Sequence, residues 1–177
     1  MKSIKLILLL ICFFTIIPSL SAQKLGVRAG WNSATVSGTD FGDVSSRDGF
    51  YLGVFKEITL VPKLLFFQPE LQYSSQGFKS NGNDYAINYI NVPLLAKVYF
   101  LKILSFEAGP QFGFKIDDNI DGANSIETFD AAIDAGVGIN LPLGFSIDAR
   151  YVQGLSEIVK DSVSKNQVVQ VGAAFKF

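Results

Sequence analysis

The sequence predicts an all-β protein, an eight-stranded antiparallel up-and-down transmembrane β-barrel with short periplasmic turns and longer extracellular loops. Three observations predict this fold class. Apolar and polar residues alternate with a period of two along most of the chain, which is typical of strands. The alternating segments are about ten residues long, which suits a tilted strand crossing a bilayer better than a strand of a globular protein. Long and short connections between these segments also alternate, as in outer-membrane barrels.

The composition excludes several classes of function. Of 177 residues, 49% are hydrophobic and 18% charged, and the chain has no histidine and a single cysteine. Without histidine, most zinc sites, serine-histidine triads and histidine general bases are ruled out. The net charge of −1 argues against nucleic-acid binding, which needs a basic surface. We therefore expect a non-enzymatic protein without a cofactor or a nucleic-acid partner. An Asp/Glu or Ser/Lys site is not excluded by the composition, but no spacing of these residues proposes one.

The first segment has the pattern of a secretory signal peptide. Lys2 and Lys5 precede an apolar run over residues 7–17, and small residues lead to Ala22. We expect cleavage after Ala22, which divides the chain into a signal peptide, residues 1–22, and a barrel domain, residues 23–177. An uncleaved anchor is the alternative, but the run is shorter than the ~20 apolar residues of a spanning helix.

Eight strands follow in the remaining chain, separated by clusters of Gly, Asn, Asp and Ser. Four longer connections are expected at residues 37–48, 76–87, 116–127 and 154–166. These loops are polar, and we expect Phe41, Phe78 and Tyr85 to lie in them, where recognition residues often sit. The predicted strands cover residues 24–36, 49–58, 64–75, 88–99, 103–115, 128–139, 143–153 and 167–177.

The two faces of these strands differ in polarity. Alternate residues such as Leu25, Val27 and Ala29 form an apolar face, on which Lys56 is the only charged residue. We expect this face to contact lipid, with Lys56 extending to the interface near a strand end. A soluble barrel would turn the apolar face inward instead, but segment length, export and aromatic placement favour the membrane. Aromatic girdles at the two membrane interfaces are expected from Trp31, Tyr73, Phe112, Tyr151, Phe175 and Phe177.

The opposite face carries balanced charges among small and polar residues. An eight-stranded barrel is just wide enough for side chains to fill its interior. We therefore expect a lumen closed by ion pairs, which excludes a general diffusion pore. The expected network consists of Arg28, Glu70, Lys97, Glu107, Lys115, Asp134, Asp148 and Arg150.

Two local patterns need separate interpretation. Pro69, Pro93 and Pro110 fall inside predicted strands, where each lacks a ladder donor, so we expect bulges or kinks there. The sequence Asp117-x-Asn119-x-Asp121-Gly resembles the start of a calcium loop, but position twelve is threonine. We interpret it as an acidic hairpin loop, with calcium binding as the alternative.

Five segments resemble strand motifs of the PorT-like outer-membrane β-barrel family. They are FQPELQYSSQG at residues 67–77, YINVPLLAK at 89–97, AGPQFG at 108–113, DARYVQGL at 148–155 and VGAAFKF at 171–177. The resemblance implies an eight-stranded barrel in a Gram-negative outer membrane, in contact with lipid and lipopolysaccharide. Phe177 is similar to the terminal signal that the barrel-insertion machinery reads. PorT itself is associated with protein secretion.

The sequence thus predicts envelope structure or surface binding through the loops. Participation in a secretion or transport complex is an alternative, as is a soluble exported barrel that binds an apolar ligand. The partner at the loops is not indicated by any motif.

Overall fold

Eight strands and a short 3-10 helix, Pro142–Gly144, form the described architecture. The computed structural model describes residues 24–37, 44–80, 83–101, 103–118, 128–156 and 165–177. In these ranges, no helix is long and apolar enough to cross a membrane. The strands are β1 Lys24–Ser37, β2 Val44–Val61, β3 Leu65–Ser80, β4 Asn83–Phe100, β5 Leu104–Asp118, β6 Phe129–Asn140, β7 Phe145–Gly154 and β8 Lys165–Lys176.

The strands close into an antiparallel barrel in the order in which they occur in the chain. The first and last strands complete the ring, from Gly26 opposite Lys176 to Ser37 opposite Lys165. Closure gives every strand two hydrogen-bonded neighbours, so no edge exposes unpaired backbone groups. The predicted fold class, an eight-stranded antiparallel up-and-down barrel, is confirmed.

The two ends of the barrel differ. One end, called the turn end below, holds Lys24, Lys176 and the connections 62–64, 101–103 and 141–144. The opposite end is called the loop end, and its connections fall at residues 38–43, 81–82, 119–128 and 155–164. Residues 1–23, including the predicted cleavage site, lie outside the described residues.

The strands on one side of the loop end are longer than predicted. β2 begins at Val44, and β3 and β4 together leave only residues 81–82 between them. The predicted long connection over residues 76–87 is therefore wrong. Phe78 and Tyr85 are not loop residues but lie opposite each other in β3 and β4, with ring centroids 5.1 Å apart. Phe41 lies outside the described residues.

The apolar face of the strands points outward. Leu52 is 58% exposed on this face, whereas Arg28 on the other face is only 2% exposed. A soluble barrel needs the reverse arrangement, so the alternative of a soluble barrel with an apolar interior is wrong. Lys56 is also outward, but it lies inside β2, which continues to Val61, and not near the strand end as predicted.

The three strand prolines interrupt the ladders without changing their register. Between β2 and β3 the pairing stops after Phe55 opposite Glu70 and resumes at Ile58 opposite Phe67, so the gap contains Pro69. The predicted bulge is wrong here, because the register before and after the gap is the same. The missing N–H of proline explains the lost pairs.

Pro93 and Pro110 behave in the same way. Pro93 lies in a gap between β3 and β4, and Pro110 lies in a gap between β4 and β5, again with unchanged register. Each proline stays paired with the following strand and loses pairing with the preceding one. Register shifts occur elsewhere, in β2 between Ser46 and Tyr51 and between Thr59 and Val61, and in β4 at Asn88/Tyr89.

Tyr51 fills the interior next to two glycines. Its side chain is 1% exposed, and its hydroxyl lies against the positions where Gly30 and Gly172 would carry a Cβ. A larger residue at either position would overlap the ring. The glycines of β1 and β8 therefore make room for a tyrosine of β2 inside the barrel.

We expect Gly172→Val to destabilise the barrel by about 1–3 kcal/mol, because overpacking displaces Tyr51. Urea unfolding in lipid vesicles, followed by the fluorescence of the single tryptophan, Trp31, measures the change. Ala173→Val is the matched control, since Ala173 is outward and exposed. Equal unfolding midpoints for both variants would contradict the close fit of Tyr51.

Candidate functional site in the barrel interior

A carboxylate held between two guanidinium groups occupies the middle of the interior. Both terminal nitrogens of Arg150 donate to Glu70, at 2.7 and 2.8 Å. Arg28 Nη1 donates to both oxygens of the same carboxylate at 3.1 Å. The Gln68 amide adds a fifth bond at 2.6 Å. Glu70 thereby links β3 to β1 and β7 across the lumen.

Both arginines engage further acids. Arg28 also donates to Asp148 of β7 and, at 3.3 Å, to the Tyr51 hydroxyl. Arg150 donates through Nε to Glu107 of β5. Bidentate arginine-carboxylate pairs are among the stronger hydrogen bonds of proteins, and their planar geometry fixes the orientation of both groups.

The ion pairs continue toward the turn end. Lys97 of β4 lies 3.4 Å from Glu107 and 3.7 Å from Glu57 of β2. Glu57 accepts from Lys176 of β8 at 3.1 Å and from the Tyr99 hydroxyl at 2.5 Å. Acids and bases therefore alternate through the interior. This series, called the charge chain below, is Asp148, Arg28, Glu70, Arg150, Glu107, Lys97, Glu57 and Lys176.

The charge chain is almost completely removed from solvent. Glu70 is 0% exposed, and the other members from Asp148 to Glu57 are also buried. Taking charges out of water costs several kcal/mol per ion, which is offset only where the geometry is good and the hydrogen bonds are satisfied. Glu70 meets both conditions. The paired carboxylates are thus bound by cations of the protein itself, which leaves little room for a solute to pass.

Most of the sequence-predicted network lies in or beside this chain. Arg28, Glu70, Lys97, Glu107, Asp148 and Arg150 are members, and Asp134 lies beside it, with one oxygen 3.7 Å from Arg150 Nη1. Lys115 does not take part: its amine lies 2.8 Å from Asp118 at the loop end of β5. Lys115 lies eight residues beyond Glu107 along β5 and is therefore far from the predicted partners, and the register shift at this height skips Ile116.

Sequence reasoning missed four members of the interior network. Glu57 and Lys176 lie on the predicted inner face, but no pattern indicated that they meet. Tyr51 and Tyr99 are large aromatic residues on a face otherwise rich in glycine, which was the available signal. Arg28 lies 5.2 Å from the Tyr51 ring centroid, and Lys176 lies 5.0 Å from that of Tyr99, which are cation–π distances.

Amide side chains line the interior on the loop side of the charge chain. Gln72 of β3 donates to Gln170 of β8 at 3.4 Å, and Asn166 donates to Gln76 at 2.6 Å. Asn32 of β1 donates to Ser74 at 2.9 Å. These neutral groups span the barrel between β3 and the two strands β1 and β8.

The interior becomes apolar near the loop end. Ala34, Ala132, Val152 and Val168 form a buried cluster contributed by β1, β6, β7 and β8. On the facing strands the buried residues are Phe78, Ile87 and Tyr89. The lumen is thus filled along its length, and near the loop end the apolar cluster is interleaved with buried polar side chains, because Asp130 and Asn166 lie two residues nearer that end than Ala132 and Val168.

The predicted girdle residues lie on the outward face. Trp31, which is 45% exposed, pairs with Phe50, and the Phe50 ring lies 5.7 Å from Tyr73 toward the loop end. Toward the turn end, the Phe175 ring lies 4.8 Å from Phe145 and 6.0 Å from Phe177. On the remaining strands, Phe112 lies 6.2 Å from Phe129, and Tyr151 is 44% exposed.

The calcium pattern is not assembled in the described part of the chain. Asp117 is in β5, whereas Asn119 and Asp121 lie outside the described residues. In the described ranges, no group of three or more His, Cys, Asp or Glu residues is arranged to hold a metal ion.

Comparison with known proteins identifies the family. A model described as the outer membrane protein beta-barrel domain matches residues 21–160. The chain belongs to this family. It is therefore an outer-membrane barrel, and its turn end corresponds to the periplasmic end of such barrels. The match supports the coarse family and not the finer PorT-like assignment. None of the curated proteins compared with the chain matches it significantly.

Solved structures share the architecture of this outer-membrane barrel. Ail, the attachment invasion locus protein of Yersinia pestis in complex with the heparin analogue sucrose octasulfate, is 19% identical with a TM-score of 0.58, covering 88% of this chain and 99% of Ail. Neisserial surface protein A is 17% identical with a TM-score of 0.54, covering 86% of this chain and 97% of its own. At these identities the likeness shows the fold.

We expect Arg150→Met to destabilise the barrel by about 3–5 kcal/mol, because Glu70 and Glu107 then remain buried with less compensation. Arg47→Met is the matched control: Arg47 pairs with Asp84, whose side chain is 57% exposed, and the loss there is about 0–1 kcal/mol. Urea unfolding in vesicles measures both. Similar losses for the two variants would contradict a stabilising role of the charge chain.

Proposed function

We propose that this protein is a non-enzymatic outer-membrane barrel with a closed lumen that presents its loop end for binding at the cell surface. The proposal rests on the filled interior, in which Glu70 is bound between Arg28 and Arg150 and apolar side chains lie closer to the loop end. A barrel closed in this way is a scaffold, and its functional surface is then the end that faces outward.

The filled interior argues against a diffusion pore. Eight strands leave a lumen that side chains can fill completely. Here ion pairs and amide pairs cross the barrel, and the apolar cluster of β6, β7, β8 and β1 faces the buried Phe78, Ile87 and Tyr89 of β3 and β4. A hydrated solute would have to break several buried ion pairs to cross.

The extension of β2, β3 and β4 supports a surface role. Arg47 of β2 donates to Asp84 of β4 at 2.6 Å and to the Gln76 carbonyl of β3 at 3.1 Å. Phe78 and Tyr85 add an aromatic contact across β3 and β4. Ordered strands that continue at the loop end form a rigid base on which recognition loops can be held. The loops attached to this end supply the proposed binding surface.

Relatives in fold give independent support for a surface role. Ail has been crystallised with the heparin analogue sucrose octasulfate, and the Neisserial protein is named as a surface protein. The loops of this chain contain Asp40, Asp43, Asp121, Glu127, Glu157 and Asp161, whereas Lys160 is the basic residue among them. A sulfated polyanion is therefore a poor fit, and we propose a neutral or cationic partner.

The absence of enzymatic activity is also part of the proposal. Glu70 accepts bonds from both arginines, and Glu107 accepts from Arg150. Neither carboxylate is available to take a proton from a substrate. The chain has no histidine to do so.

Export and insertion complete the proposal. We propose that residues 1–22 are removed as a signal peptide and that Phe177 serves as the recognition signal of the barrel-insertion machinery. The outward face would contact lipid and lipopolysaccharide. Envelope structure and, through the PorT-like resemblance, a secretion or transport complex are alternative roles. A stoichiometric partner that co-purifies with the barrel would favour the latter.

The closed lumen predicts no large, stable conductance when the purified protein is inserted into a planar bilayer. The charge chain and the apolar layer would have to open together for ions to pass. Single-channel recording at neutral pH measures this directly. Long-lived openings of uniform size, absent from protein-free bilayers, would contradict the closed lumen.

If the protein binds at the cell surface, changes in the loops should remove binding and leave the folded barrel intact. Replacing residues 38–43 and 119–127 with Gly-Ser segments should leave heat-dependent gel mobility and detergent resistance of the cells unchanged, because the barrel is retained. Attachment of whole cells to a solid surface should fall to the level of the deletion strain. If the loop-replaced chain restores attachment fully, surface binding is wrong and envelope structure is favoured.

A further inference from the structure

The turn end of the lumen opens into a cavity of about 460 Å³. Its position is opposite the loop end, where Ala34, Val152 and Val168 fill the interior. The cavity is thus accessible from the periplasmic side of an outer-membrane barrel. The lining residues are Lys24, Glu57, Thr59, Pro62, Lys63, Phe66, Tyr99 and Lys176.

The base of this cavity is built from buried, mutually bonded side chains. Both oxygens of Glu57 lie 3.1 Å from Lys176 Nζ, and the Tyr99 hydroxyl donates to Glu57 at 2.5 Å. Lys97 lies 3.7 Å from the same carboxylate. The single acid of the lining is therefore neutralised from two sides, so it does not repel an anion.

Two further lysines leave the cavity with a positive surplus. Lys24 and Lys63 are exposed at its wall, and in the described part of the chain neither forms an ion pair with a carboxylate. Lys63 lies in the turn after β2 with a φ of 66°, a backbone conformation that residues other than glycine adopt infrequently. Three lysines of the lining face one acid, a formal charge of 3 − 1 = +2.

An aromatic pair forms the apolar part of the wall. Phe66 and Tyr99 meet edge to face, with centroids 5.1 Å apart and an interplanar angle of 79°. Pro62 and the aliphatic stems of the lysines extend this surface. Ligand sites in proteins combine such an apolar lining with a few placed polar groups, in cavities of roughly 300–1,000 Å³.

We propose that this cavity is a periplasm-facing binding site for a small anion with an apolar or aromatic body. The carboxylate or phosphate of the ligand lies against Lys24 and Lys63, because the three N–H donors of Lys176 are directed at both oxygens of Glu57 and at the Tyr99 hydroxyl. The body of the ligand lies against Phe66 and Tyr99. The volume limits the ligand to a small molecule or the terminal residue of a chain. This site is separate from the proposed loop-end surface and does not depend on it.

The test uses the purified protein in phosphatidylcholine nanodiscs, with N-acetylphenylalanine, its neutral amide and phenyl phosphate as probes. Isothermal titration calorimetry should detect binding of at least one anion, at least tenfold tighter than that of the amide. The anion that binds identifies the ligand class. Binding should weaken as salt rises, because the lysines of the wall are exposed and screened.

A pair of double variants isolates the role of the cavity. Lys24→Gln with Lys63→Gln should weaken anion binding about tenfold, as expected from losing two partly exposed charge contacts. Lys56→Gln with Lys79→Gln removes the same net charge outside the cavity and should leave binding unchanged. The proposal is overturned if neither anion binds, if the amide binds equally well, or if both double variants behave alike.

Discussion

Every other feature of the barrel depends on one buried carboxylate held between two guanidinium groups. Glu70 has no contact with solvent, and its charge is tolerable there only because Arg28 and Arg150 bind it from β1 and β7. Arg28 also pairs with Asp148, and Arg150 also pairs with Glu107. Lys97 lies between Glu107 and Glu57, and Glu57 pairs in turn with Lys176. With Asp134 of β6 beside Arg150, all eight strands contribute a charged group. The ring of backbone hydrogen bonds is thus supplemented by an internal set of cross-connections.

The interior changes its chemistry along the barrel axis, and this order gives the two ends different roles. The charge chain lies toward the periplasm, and the small aliphatic cluster, interleaved with Asp130 and Asn166, lies toward the outside. Water and small anions therefore reach the lysines at the turn end, whereas the loop end is sealed just inside the extended strands. The molecule therefore presents a different feature to each compartment: the cavity at the turn end faces the periplasm, and the extended strands at the loop end face the outside.

The sequence predicted the parts of this structure that depend on alternation alone. A period of two identifies the strands and sorts the faces, so the lipid side and the inward charges such as Arg28 and Arg150 were correctly placed. It does not identify which inward side chains meet, because that depends on how strands stagger around the ring; Lys115, shifted beside Asp118, is an example. It also fails where both faces of a strand are polar, as over residues 76–87, since a strand beyond the membrane needs no apolar face. The leader and, after Asp117, the calcium pattern lie in segments that the structure does not describe.

The proline gaps divide the barrel wall into a part with continuous strand pairing and a part with interrupted pairing. Pairing runs without interruption from β5 through β6, β7, β8 and β1 to β2. It is interrupted at a proline in each of the three seams between β2 and β5, and register shifts add further interruptions in the β2–β3 and β4–β5 seams. One half of the wall therefore has fewer backbone pairs at mid-height than the other. Glu70 and Lys97 stand in the half with the gaps and are bound by Arg150 and Glu107, so buried ion pairs join the two halves at the height where backbone pairing is incomplete.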